Sequence, residues 1–116
     1  EVINNFQEQS AKIPSILISP SITEGLDLKD DLARFAIFTK VPYPYMGDAW
    51  VKRRMEISGE WYSRQAMIAI IQGGGRVVRT PADWGNTYIL DQSFNFLYHQ
   101  MARCIPDWWK EGFIRI

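Results

Sequence analysis

Cysteine is almost absent. Cys104 is the only one in 116 residues, so no disulfide can form within the chain. A reducing, intracellular setting is the simplest reading. Excess charge is absent as well: 13 basic residues balance 13 acidic ones. Bulk electrostatics therefore give no argument for nucleic acid, although a local patch remains open. No apolar run approaches the roughly 20 residues that a membrane span needs, and no signal-peptide pattern opens the chain. Two catalytic signatures are also missing: the G-x-x-x-x-G-K-[ST] phosphate loop and an acidic metal-binding box. This chain alone is not a complete ATPase. It begins with Glu1 rather than methionine, which leads to the expectation of a piece cut from a longer protein.

What is present argues for a packed domain. Aromatic residues make up 14% and include five tryptophans, too many for a disordered segment. A length of 116 residues fits one domain with its own core. Residues 2–9 read as a short helix with Val2, Ile3 and Phe6 on one face. Residues 15–18, bounded by Pro14 and Pro20, read as a buried strand, and residues 35–39 as a second. Residues 49–57 read as a helix capped by Asp48. The longest helical pattern runs from Tyr62 to about Arg79, with Pro81 as its terminator. Residues 87–90 read as a third strand. Residues 94–103 and 106–112 read as helices, the second with proline in its first turn. Apolar strands separated by helices predict a small, mostly parallel α/β sheet flanked by helices.

One stretch resists explanation by local propensity: Gln72-Gly73-Gly74-Gly75-Arg76-Val77-Val78-Arg79. Each glycine costs a helix roughly 1 kcal/mol relative to alanine. Such a run implies a close backbone approach or side chains held out of the way. Gln72, Arg76 and Arg79 stand four and three apart, so a continuous helix sets them on one face. One amide and two permanent cations suit phosphate oxygens. In parallel α/β sheets ligands sit at the carboxyl ends of strands. There the chain carries a second polar loop, Ser19-Pro20-Ser21-Ile22-Thr23-Glu24-Gly25-Leu26-Asp27, and a third, Lys40-Val41-Pro42-Tyr43-Pro44. The three polar segments are candidates to line one cleft.

These segments resemble a known family. Residues 19–27 resemble helicase motif V. Residues 72–79 resemble motif VI, the Q-x-x-G-R-x-x-R signature of superfamily 2 helicases. The Glu24-Gly25-x-Asp27 core, residues 40–44 and Trp61-Tyr62 are similar to the XPD/DinG branch. The likeness runs from about Phe6 to Trp109. It implies a partial RecA-like domain of the P-loop NTPase type, three-layered, with residues 1–116 as one fragment of the second RecA-like domain. The first ATPase domain and the N-terminal part of the second lie outside it. The implied function is that of an ATP-dependent DNA helicase working on single-stranded DNA. ATP and Mg would be bound mainly by the first RecA-like domain, the partner within the same polypeptide, and no membrane is involved. Localisation would be cytoplasmic for a bacterial, archaeal or phage parent and nuclear for a eukaryotic one.

The resemblance also implies roles. Arg76 and Arg79 match the arginines that reach the γ-phosphate, at least one as an arginine finger. Gln72 matches the amide that couples the cleft to the first domain. Gly75 counts with the nucleotide-binding set, as do Gly25, which permits a tight turn, and Asp27, which contacts either the ribose or the finger arginines. Ser19, Ser21 and Thr23 fall near positions that hold the DNA phosphate backbone. No metal ligands are implied. The chain departs from the branch at Asp91-Gln92-Ser93-Phe94, where an Asp-x-Arg-Phe pattern is usual, and this leaves the role of that arginine unfilled.

Plainer readings stand beside these. Arg76 and Arg79 are open to surface ion pairing, Asp27 to turn capping, and Glu24 to a structural place. Lys52-Arg53-Arg54 read as a solvated helix face before a DNA track. His99 is a lone histidine and Cys104 a small buried apolar residue. Trp108 and Trp109 pack on a sheet edge or face another domain. The competing function, from a different class, is a non-catalytic RecA-like module for nucleic-acid or protein interaction.

Overall fold

A computed structural model describes residues 2–10, 12–20, 28, 30–78 and 80–116. In chain order the elements are α1 (Val2–Ser10), a 3-10 turn (Asp30–Leu32), β1 (Phe35–Phe38), α2 (Ala49–Ile57), α3 (Gly59–Gly74), β2 (Asn86–Ile89), α4 (Ser93–Met101) and α5 (Asp107–Glu111). β1 and β2 pair in a two-stranded sheet. The Asn86 N–H donates to Arg34 O and the Leu90 N–H to Phe38 O, both at 2.9 Å. Both bonds join residues 52 apart, so the strands run parallel, as expected, with helices between and after them.

Two expectations about the strands need correction. Residues 15–18 form no strand, and Ile16 and Ile18 are 79% and 89% exposed. Three apolar residues between prolines specify extension but supply no pairing partner. Among the described residues the sheet therefore has two strands rather than three. Nor are those strands buried throughout: exposure alternates along both, leaving Phe35, Ile37 and Tyr88 on an open face.

The chain divides into two compact units. One holds the described residues up to Ile37 together with Gln72–Tyr88; the other holds Phe38–Ile71 with Ile89–Ile116. The second unit carries the larger core. Ser63, Ala66, Met67 and Ile70 are the buried stripe of α3, recurring at helical spacing. Phe94, Leu97 and Met101 are the corresponding stripe of α4. Val41 and Ile105 join the same cluster. The Ser63 hydroxyl donates to Gln100 Oε1 at 2.9 Å, so its burial leaves no unmade hydrogen bond. Aromatic rings extend the core on both sides. Tyr43 stacks on Tyr62 at 5.1 Å, and the Tyr62 hydroxyl donates to Pro44 O. Phe94 meets Tyr98, Trp109 and Phe113. Trp109 thus belongs to a helix-borne aromatic cluster, whereas Trp108 is 66% exposed.

The helix at 49–57 begins as expected, whereas α3 begins at Gly59, three residues before the expected Tyr62, and ends early. Asp48 caps α2, its Oδ1 accepting from Trp50 N at 2.7 Å and Val51 N at 3.2 Å. α3 stops at Gly74, five residues short of the expected Arg79. The glycine run breaks it before Pro81 is reached. Cys104 is exposed rather than buried. It sits in the turn after α4, where the Arg64 guanidinium approaches its Sγ at 4.0 Å.

Candidate functional site

The candidate site is the turn that follows α3. Arg76 N–H donates to Gly73 O at 3.2 Å and Val77 N–H to Gly74 O at 3.4 Å, closing a tight turn at the helix end. Gln72 lies exposed in the last turn of α3, Gly75 is exposed, and Arg76 is half-buried just beyond the helix, its Nε buried. The expectation that Gln72 and Arg76 share a helical face is corrected, because the helix ends between them. Arg79 lies outside the described residues.

The glycines of this turn serve close approach. A Cβ on Gly74 would lie 3.0 Å from Thr87 Oγ1 on β2. Further on, a Cβ on Gly85 would lie 2.9 Å from Val77 Cγ2 and 3.1 Å from Val77 O. Val77, 2% exposed, is pinned beneath the returning chain. The arginine-bearing turn is thus bounded by glycine contacts at both ends, which a side chain would disrupt.

Of the other sequence-derived candidates, Ser19 is exposed in an irregular segment of the first unit. Ser21, Thr23, Gly25 and Asp27 lie outside the described residues. Gln72 stands in the last turn of α3, and Gly75 and Arg76 in the turn that follows it. Lys52, Arg53 and Arg54 are exposed. Arg53 pairs with Glu56 at 3.2 Å, and the Arg54 guanidinium stacks over Trp50 and Trp61 at 5.3 and 5.1 Å. His99 is exposed beside Tyr98.

Two groups were given no role of their own from the sequence. Asp91, at the carboxyl end of β2, accepts from Val41 N through Oδ2 at 2.9 Å and from Ser93 N through Oδ1 at 3.0 Å. One carboxylate ties the exit of β1 to the first turn of α4. Its two-residue spacing from the start of a helix was a readable capping signal. The Val41 amide, then the Ser93 amide, hold its carboxyl below the usual 3.8. A depressed folded value contributes stability that is present above the unfolded pKa and lost as pH falls through the folded one. Acidification below about pH 4 is expected to destabilise the wild type more steeply than Asp91→Asn. Denaturation midpoints of both proteins across that range test this, and parallel pH profiles would refute it.

The second missed group centres on Arg34. Its Nη1 donates to Asp83 Oδ1 at 2.7 Å and to Trp84 O at 3.0 Å. Its Nε and Nη2 donate to Asp31 Oδ1 at 3.1 and 2.6 Å. The guanidinium also lies 4.7 Å from the Trp84 ring centroid. Hydrogen bonds to Asp31, then to Asp83, raise its pKa further. No local pattern pairs residues 49 apart.

Comparison with known proteins places the chain in a family. The helicase C-terminal domain family matches residues 1–112. Regulator of telomere elongation helicase 1 of Mus musculus is 31% identical over 130 residues, covering 93% of this chain and 11% of that protein. The protein of the same name from Homo sapiens is 36% identical over 102 residues, covering 74% and 8%. A Fanconi anemia group J protein homolog of Gallus gallus is 31% identical over 85 residues, covering 63% and 7%. The chain thus spans about a tenth of the length of these relatives. No solved structure matches it significantly. With its two motif-like segments, its parallel strand pair and a family match over nearly its whole length, the chain belongs to the helicase C-terminal domain family.

Proposed function

We propose that this chain is the part of a second RecA-like domain that completes the ATP site of an XPD/DinG-type DNA helicase. Arg76 and Arg79 reach toward the γ-phosphate oxygens as charge develops there, at least one as an arginine finger. Gln72 and Gly75 border the same nucleotide, with Asp27 and Gly25 from the upstream loop. ATP and Mg are held mainly by the first RecA-like domain of the same polypeptide. Ser19, Ser21 and Thr23 contact the phosphate backbone of single-stranded DNA, so binding is salt-sensitive and indifferent to sequence. Proteins with similar sequences in Mus musculus and Homo sapiens are named regulator of telomere elongation helicase 1, and on the same reading a eukaryotic parent is nuclear. Among the described residues no helix is long and apolar enough to cross a membrane.

The observation that carries this reading is the half-buried Arg76 in a glycine-bounded turn directly after α3. A guanidinium on a constrained turn keeps its planar donors aimed with little orientation left to lose.

The test uses the full-length protein and the 116-residue chain side by side. The full-length protein is expected to release phosphate from ATP in proportion to added single-stranded DNA and to separate duplexes. The chain alone is expected to turn over no ATP. Full-length protein that binds nucleic acid or protein without DNA-stimulated hydrolysis would establish the non-catalytic module instead.

A further inference from the structure

The Arg34 cluster lies away from the expected nucleotide contacts, yet it fixes the chain that leaves them. Between Arg76 and β2 the backbone makes a loop. Its two ends meet where Gly85 approaches Val77. Next to that contact Asp83 carries a carboxylate whose side chain is 2% exposed. The same Oδ1 accepts from Trp84 N at 2.9 Å, and the Asp83 N–H donates to Thr80 O at 3.0 Å. Arg34, at the mouth of β1, grips this corner through three kinds of contact: the Asp83 carboxylate, the Trp84 carbonyl and the Trp84 ring. The Arg34 carbonyl accepts from Asn86 N, so one residue holds both the loop corner and the first bond of the strand pair. Asp31 occupies the remaining guanidinium edge, which keeps the fork from rotating away.

We infer that Arg34 is a positioning residue for the Arg76 turn. By clamping Asp83 and Trp84 it fixes the far part of the loop that follows Arg76. This inference rests on the proposed role of Arg76 in hydrolysis. Lysine is no substitute, because an ammonium cannot serve a carboxylate, a carbonyl and a ring face at once in the same plane.

The experiment uses the full-length protein with Arg34→Lys, Arg34→Met and Asp83→Asn, alone and combined with Arg76→Ala. Hydrogen exchange reads the clamp directly. Amides of residues 77–86 are expected to exchange faster in each Arg34 variant, while those of α4 stay protected; unchanged exchange in residues 77–86 overturns the inference. Steady-state kinetics read the consequence. The Arg34 variants are expected to lose at least about tenfold in kcat with little change in KM for ATP. In an Arg76→Ala background the same substitutions are expected to cost less than about twofold more. Faster exchange with normal kcat, or a full second loss in the Arg76→Ala background, overturns the positioning role. If Arg76→Ala alone retains normal turnover, the proposed function fails instead, and a kcat loss in the Arg34 variants then also overturns action through Arg76. Arg34→Lys keeps the charge at the site, so it serves where Arg34→Met fails to fold.

Discussion

Arg76→Ala in the full-length protein is expected to remove most DNA-stimulated ATP hydrolysis while leaving DNA binding largely intact, and Arg79→Ala is expected to do the same. A cation placed on developing phosphoryl charge is worth roughly a thousandfold or more in rate. DNA binding is expected to survive because, in the proposed reading, it draws on different groups, the hydroxyl-bearing loop around Ser19 among them. Arg76→Lys is expected to fail as well, since an ammonium supplies a point charge in place of a planar fork. If Arg76 were only a surface ion-pair partner, its loss would cost ~0–1 kcal/mol and turnover would persist. The measurement is turnover number for each variant beside its thermal midpoint. Near-normal turnover in both alanine variants contradicts the assignment. Lost turnover with an unchanged midpoint supports it.

The largest stability effect is expected at Leu97. It is fully buried on α4 within the cluster that includes Ile70, Phe94 and Met101. Truncation to alanine removes transfer free energy and leaves a cavity among side chains that α3 and α4 hold in place, a cost of about 2–5 kcal/mol. Phe96 is the internal control. It sits one residue away on the same helix and is 70% exposed, so Phe96→Ala is expected to stay within roughly 0.5 kcal/mol. Comparing the unfolding midpoints of the two variants in denaturant decides the matter. A Leu97→Ala midpoint no lower than that of Phe96→Ala would show that this cluster does not govern stability.

The readable parts of the fold were those set by neighbours in sequence. Asp48 announced α2 because a short acceptor before an apolar-patterned run satisfies the free amides that follow. α3 and α4 were readable as helices because a 3.6-residue repeat brings Met67 and Ile70, or Phe94 and Leu97, onto one side. Residues 15–18 misled because apolar, extended chain is a strand only where a partner offers amides and carbonyls. Cys104 misled because average burial says little about a turn after a helix. The end of α3 misled because Pro81 was given the role that the glycine run fills seven residues earlier. At the candidate site, the motif singled out Arg76 as a candidate. Its placement off the helix was missed because the three glycines were read as part of a helix running on to Arg79. Arg34 gave no signal at all. Its partners are distant in sequence, and nothing about a lone arginine before an apolar run distinguishes a clamp from a solvated cation.

The parallel pairing of β1 with β2 also sets an order of events during synthesis. Residue 34 must wait for residue 86 before the first bond of the ladder can form. At cellular elongation rates those 52 residues take about 3–10 s to appear. Through that interval β1 lacks its β2 partner, and Phe35 and Ile37 lie on a face that is open among the described residues. The apolar stripe of α3 likewise precedes α4, which later covers it. Closure of so long a loop is slow to begin. The helices between the strands are local and form on microsecond timescales. The nascent chain therefore spends seconds as helices in search of a sheet, and a factor that shields exposed strands has its widest window of action there.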